Sequence, residues 1–189
     1  MKALESKLAG KLLIAMPDMS DPRFAKTVIY LCAHSDDGGM GLIVNKPQKE
    51  IKFAKLLEQM DIPAIPHMRD VQVHYGGPVD QQRGFVLHSH DYTAQTGTLR
   101  VDQTFCMTAT IEVLEDIAKG NGPARSILAL GYAGWGPGQL EYEIGQNGWL
   151  TCPASDQIIF GDDNQNKWTA ALGLLGIDPL LLSGTAGHA

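Results

Sequence analysis

Three apolar segments rich in β-branched residues follow one another early in the chain, Lys11–Met16, Thr27–Ala33 and Met40–Asn45, with no helical spacing between them. Parallel neighbours need a long crossover, usually a helix, so strands linked this directly pair antiparallel or through irregular connections. The opening of the chain therefore cannot be the βαβ alternation of a doubly wound sheet. Four more segments read as strands: Val71–Tyr75, Gly84–His88, Ser126–Tyr132 and Trp149–Cys152. Helical spacing carries the rest. Phe53, Leu56, Leu57 and Met60 fall at i, i+3, i+4, i+7, and Pro63 ends that helix soon after. Ile111, Leu114, Ile117 and Ala118 form a second stripe, stopped by Gly120 and Gly122-Pro123. A third helix is expected to open at Pro137, with Leu140 and Ile144 inward. A fourth follows Asp162-Asp163-Asn164, burying Trp168, Ala171, Leu172 and Leu175 before a Gly176 cap. Strands and helices mingle without alternating, which gives the α+β class: one compact domain over residues 1–189 with a mixed, strongly curved sheet.

Composition narrows the function. Apolar residues make up 44% and charged residues 19% of 189 positions, the balance of a folded globular chain. Fifteen Lys and Arg against twenty-one Asp and Glu leave a net charge of −6, and the cations are scattered. Such a surface repels a phosphate backbone, so direct sequence-independent nucleic-acid binding is not expected. No apolar run reaches bilayer length, and Met1-Lys2-Ala3-Leu4-Glu5-Ser6-Lys7-Leu8 has no signal-peptide core, so no membrane partner is expected. Cys32, Cys106 and Cys152 are odd in number, widely spaced and set in apolar stretches. They read as free core thiols, which points to the cytoplasm.

Four segments invite a chemical reading. The run Gly131-Tyr132-Ala133-Gly134-Trp135-Gly136-Pro137-Gly138-Gln139 joins a strand to a helix, the arrangement that offers backbone N–H groups to an anion. It lacks the Lys-Ser/Thr ending of a phosphate loop, Pro137 removes a donor, and Glu141 and Glu143 repel phosphate. A tight turn plugged by Trp135 is the stronger reading. His88 and His90 share a face if their strand continues, but no third ligand is apparent. They are weak metal candidates, and no metal or cofactor is expected. His34-Ser35-Asp36-Asp37-Gly38-Gly39 is turn chemistry closing a hairpin; neighbours on one loop rarely form a triad. Asn45-Lys46-Pro47 and His74-Tyr75-Gly76-Gly77-Pro78-Val79 end two strands. Glycines there permit close approach, so these ends and the Gly131 run are able to line a common cleft or to be three separate turns. The candidate binding residues are His34, Asn45, Gly77, Tyr132, Trp135 and Gly136. The terminal Leu180-Leu181-Leu182 is expected to pack on the domain or to dock on a partner.

Through these same segments the chain resembles the bacterial AlgH/YqgE family. The matching stretches run from Leu13-Ile14-Ala15-Met16-Pro17 and Asp21-Pro22-Arg23-Phe24 through Thr27–Cys32, Gly39–Pro47, Gly76–Val79 and Arg83–His88. They continue with Gly131–Glu141, Trp149-Leu150 and Gly187-His188-Ala189. Departures are few: Gly39 and Lys46 replace the more usual Ala and Arg, and Met107-Thr108-Ala109-Thr110 replaces Thr-Thr-Ser. The resemblance implies a bifurcated sheet curled into a partial barrel with helices packed outside. It carries over no catalytic residue, since no activity is established for the family. A transcriptional-regulator label and a neighbouring gene for a resolvase-like nuclease are associations only. Two readings result. The favoured one is a cytosolic regulatory protein acting through a protein partner, linked to gene expression or nucleic-acid metabolism. The other is an enzyme or small-ligand binder using a cleft at His34, Asn45, Tyr132 and Trp135. No catalytic motif favours the enzyme, and the residues do not set the oligomeric state.

Overall fold

The structure, a computed structural model, describes residues 8–182; the opening segment read for a leader and the closing Gly187-His188-Ala189 lie outside them. β1 (Lys11–Ala15), β2 (Val28–Ser35) and β3 (Gly38–Ile43) pair antiparallel in sequence, as their spacing requires. Ser35 faces Gly38 across a two-residue turn at Asp36-Asp37, so the His34–Gly39 segment is a hairpin turn. Then come α1 (Phe53–Gln59), β4 (Val73–Tyr75), β5 (Val79–Ser89), β6 (Thr98–Arg100), β7 (Phe105–Thr108) and α2 (Ile111–Ala118). The chain continues through β8 (Ser126–Trp135), α3 (Gln139–Gly145), β9 (Trp149–Pro153), α4 (Asp156–Phe160) and α5 (Lys167–Leu174).

The strands curl into a half-barrel of order β6-β7-β5-β8-β3-β2-β1-β9, and the class is α+β. β8 is where the sheet divides. Its first half pairs with β5 and, in parallel, with β4, while Ala133–Trp135 pair with β3. Gly131 makes the change of partner possible. Its φ of +77° interrupts the pleat, and a Cβ there would lie 2.5 Å from the Gly77 carbonyl oxygen. Before it, Ile127 and Ala129 face the same core as Leu12, Tyr30, Leu42 and Phe85. After it, the alternation has slipped by one: Tyr132 keeps to that core, while Ala133 and Trp135 turn to the opposite face.

Helices cover both faces. α4 and α5 bring Ile158, Ile159, Trp168, Ala171 and Leu172 into the first core. α1 and α2 lay Phe53, Leu57, Val113 and Ile117 over Val73, Val86 and Leu128. α3 adds Leu140 to a third cluster with Leu13, Ile29, Ile43, Trp135 and Trp149. All three cysteines are free and buried, and burial pushes the Cys32 thiol up to about 12. No helix among the described residues is long and apolar enough to cross a membrane.

Several expectations need correction. α3 opens at Gln139 behind a left-handed Gly138, not at Pro137, because the chain must turn sharply off β8 first. Ile111 and Leu175 are exposed: each sits at a helix end, where the stripe has rotated away from the sheet. β6, β7 and α4 carry no readable period; β7 is buried at all four positions and α4 spans little more than one turn. Leu180 and Leu181 are exposed, and only Leu182 touches the core.

One side chain ties α5 to the sheet and to α4. Lys167 is 3% exposed and its Nζ donates to the carbonyls of Val44 (2.8 Å) and Ile159 (3.1 Å). Burial lowers its pKa to about 8, against an opposing pull from Asp162 and Asp163. The native state therefore releases this proton before the unfolded chain does, and the contribution to stability rises with pH from about 8 upward. Titration of the buried cysteines opposes this above pH 9, so the effect is read as a difference. We expect Lys167→Met to lose about 1–3 kcal/mol near pH 8, because two carbonyls lose their donor. We also expect the wild type to gain roughly 1 kcal/mol on the variant between pH 8 and 9 in urea unfolding. A pH-independent difference would contradict this.

Candidate functional site

At the end of β8 the chain runs through Gly136-Pro137-Gly138 into α3, which places Gln139 and Glu143 one turn apart on the same helix face. The Gly136 N–H donates to Gln139 Oε1 (2.9 Å), and Gln139 Nε2 donates to Glu143 Oε1 (3.0 Å). The other oxygen of Glu143 accepts two indole N–H groups, Trp135 Nε1 at 2.9 Å and Trp149 Nε1 at 2.8 Å. The two indoles meet edge to face at 6.1 Å, and Phe24 stands edge-on to Trp149 at 5.9 Å. One carboxylate thus gathers the end of β8, the start of β9 and α3.

This cluster lines a cleft of about 430 Å³, closed by Pro78 and Val79 on one side and by Met19, Asp21, Arg23 and Phe24 on another. The Gly76-Gly77 strand end reaches it because Gly77 lies against the β8 backbone; a Cβ there would sit 2.1 Å from the Tyr132 carbonyl carbon. The Asn45-Lys46 end is tied in from behind, Lys46 Nζ donating to the Arg23 carbonyl at 2.9 Å. At the rim Arg23 grips Asp21 with Nε at 3.0 Å and Nη2 at 2.7 Å. Those hydrogen bonds hold the Asp21 carboxyl below the usual carboxylate range. The lining therefore carries two carboxylates and one guanidinium, and the guanidinium is already paired. Both carboxylates are committed as acceptors, an arrangement made to hold a shape and a negative field.

Of the candidates Trp135 lines this cleft, while Gly77 packs on the β8 backbone just before the lining residue Pro78 and the Gly136 N–H holds the lining residue Gln139. His34 does not line it: its side chain is 6% exposed and Nε2 donates to Glu141 Oε1 at 2.5 Å, on the side of α3 away from Gln139 and Glu143. The other two candidates go elsewhere. Tyr132 turns to the opposite face and meets Phe85 edge-on at 5.7 Å. The Asn45 amide accepts from the Val28 N–H and donates to the Lys26 carbonyl, both at 2.9 Å. His34, Asn45, Tyr132 and Trp135 thus do not share one surface. His88 is fully buried, donating through Nδ1 to the Ser89 carbonyl (2.7 Å) and accepting at Nε2 from Thr108 (2.8 Å), while His90 is exposed. No group of three metal-ligating side chains occurs among the described residues. Sequence reasoning missed Glu143, Gln139, Trp149, Arg23 and Asp21 as a set. The i, i+4 spacing of Gln139 and Glu143 was the available signal, while their meeting with Trp149 depends on the fold.

The chain matches the AlgH-like family over residues 12–180. It belongs to that family. A UPF0301 protein of Ruegeria pomeroyi is 59% identical over 183 residues, covering 96% of this chain and 99% of its own. One from Cereibacter sphaeroides is 55% identical over 182 residues, with the same coverage. The solution structure of the AlgH protein from Pseudomonas aeruginosa matches with a TM-score of 0.77 at 44% identity, covering 96% of both chains. A Corynebacterium diphtheriae protein matches at 0.74 with 22% identity over 93% of this chain and 92% of its own, a likeness of fold alone. The function of the AlgH-like family is not established, so the cleft must be argued from its own chemistry.

In Glu143→Gln one acceptor oxygen becomes a donor, which sets an amide N–H against an indole N–H or leaves the indole unpaired. We expect a loss of about 1–3 kcal/mol in urea unfolding and a changed near-ultraviolet dichroism from the indoles. An unchanged midpoint would show that the carboxylate does not hold them. Gly77→Ala is expected to cost of order 3 kcal/mol or more, because β8 backbone has no room to yield; normal stability of that variant would contradict the close approach.

Proposed function

We propose that the protein is a regulatory binding protein that acts through a protein partner and takes a basic segment of that partner in the Trp135–Trp149 cleft. The observation that carries this reading is the lining itself: aromatic walls, two carboxylates, and one guanidinium neutralised by Asp21. Such a site disfavours phosphate and carboxylate groups and favours a cationic side chain with an apolar stem, which packs on the rings while its head meets the negative field. The overall charge of −6 points the same way, and it makes a partner, not the protein itself, the element that meets nucleic acid. Support for an output in gene expression or nucleic-acid metabolism comes from the family association. Support for a cytoplasmic location comes from the three free, buried thiols.

The test is titration of the protein with a blocked Gly-Arg-Gly peptide and a blocked Gly-Glu-Gly peptide, read by calorimetry at low salt. The arginine peptide is expected to bind at least about tenfold tighter, with the preference shrinking at high ionic strength. Asp21→Asn frees Arg23 and removes a charge, so it is expected to weaken the arginine peptide and strengthen the glutamate peptide. Equal binding of the two peptides, or a preference for glutamate in the wild type, would overturn the reading.

A further inference from the structure

The division of β8 leaves part of one strand edge without a neighbour. In an antiparallel ladder one residue turns both backbone groups to the partner strand and the next turns them to the other side. The phase is fixed in β3. Val44 N–H donates to the Val28 carbonyl at 2.9 Å, while Ile43 N–H donates the opposite way, to the Gly76 carbonyl at 3.0 Å. Counting back by twos, Gly41 and Gly39 also face away from β2, toward Ala133 and Trp135, their pairs on β8. Met40 faces β2. Its opposite number Gly134 therefore exchanges no hydrogen bonds with β3 and turns its N–H and C=O to the far edge of β8.

That edge is open at Gly134. β5 lies along it only as far as Val79, opposite Tyr132, where the chain turns off through Pro78 and Gly77. Neither backbone group of Gly134 meets a hydrogen-bond partner among the described residues, yet Gly134 is exposed and lines the tryptophan cleft. Exposed backbone groups on a strand edge are a template for one more strand. The missing side chain keeps the place clear: a Cβ at Gly134 would meet only the Tyr132 ring, at 3.4 Å. An added strand follows the alternation of β8. Its residue opposite Gly134 points to the Tyr132 face, and the residues on either side point to the Trp135 face, where Asp21 and Glu143 line the cleft.

We propose that the open edge of β8 is a docking strand: the partner's basic segment lies extended beside Ala133–Trp135, one of its residues exchanges both backbone hydrogen bonds with Gly134, and the next sends its side chain into the tryptophan cleft. This rests on the cleft's preference for a cation and adds the conformation and register of the segment. The carboxylates select the basic side chain, and the edge selects an extended chain. A helical segment has spent its backbone groups internally and has none to offer Gly134.

The experiment titrates isotope-labelled protein with a blocked Thr-Val-Arg-Val-Thr peptide and follows backbone amide shifts and hydrogen exchange. In the free protein the Gly134 N–H is expected to exchange readily, while those of Ala133 and Trp135 are protected by β3. The peptide is expected to shift the Gly134 amide saturably and to slow its exchange at least about tenfold. N-methylation of both valines, whose backbone groups face β8, is expected to weaken binding at least about tenfold. N-methylation of the arginine alone, whose N–H points away from β8, is expected to leave affinity within about twofold. A protected Gly134 N–H in the free protein, binding that leaves its exchange unchanged, or equal effects of the two N-methylations would each overturn the proposal, as would no binding at all. A peptide with glutamate in place of arginine separates this proposal from the reading it rests on. If that peptide binds as tightly and still protects Gly134, the cation preference fails and the edge pairing is supported. If arginine is preferred but Gly134 stays unprotected, the cleft reading stands and strand docking fails.

Discussion

A carboxylate set among aromatic rings is costly unless donors surround it, and Glu143 is surrounded. Two indole N–H groups and one carboxamide converge on it, and through Gln139 the same chain of bonds reaches the backbone of Gly136. Around it the three elements also share one small apolar cluster, with Leu140 beside Trp135 and Trp149. β8 lies in the middle of the sheet, β9 is its last strand, and α3 is only seven residues long. A helix so short has little stability of its own, so its position depends on Leu140 beneath it and on Glu143 at its side. The negative charge also becomes a property of the cleft. Because the indoles have turned their N–H groups inward to Glu143, they offer the cleft carbon surface and a field, which suits a cation with an apolar stem.

The sheet explains why such a cleft exists. β8 serves two half-sheets, and the slip at Gly131 sends Tyr132 to one face and Trp135 to the other. Had the pleat continued without a slip, Trp135 would face the crowded core shared with Phe85 and Tyr30, and α3 would keep only Trp149 of its two indoles. The close contact of Gly77 with β8 comes from the same region, since β4 ends just where β8 changes partner.

How much of this could be read from the chain depends on the range of each interaction. β1, β2 and β3 were legible because apolar runs and the Asp36–Gly39 turn residues act locally. α1 and α2 were legible from i, i+3, i+4 spacing, though Ile111 shows that a stripe does not say where the covering face ends. β7 was hidden because a strand buried on both sides has no alternation to display. The family resemblance gave the curled sheet, but no side-chain role. Trp135 was recognisable as a plug for the turn, yet its partner Trp149 lies fourteen residues on, across a helix, and nothing local joins them. Lys167 illustrates the limit most sharply. In sequence it is an ordinary lysine at a helix start, and only the fold brings it under Val44, from the far end of β3.

The central claim is that one carboxylate organises the cleft, and the most direct test watches the three indole N–H protons in the wild type and in Glu143→Gln. Trp135 and Trp149 donate to Glu143, whereas Trp168 donates to the Ala15 carbonyl at 2.8 Å and serves as an internal reference. The account predicts that the Trp135 and Trp149 signals shift together and lose protection against solvent exchange together in the variant, while Trp168 keeps both its position and its rate. Movement of only one of the pair, or a change in Trp168 as large as theirs, would contradict it.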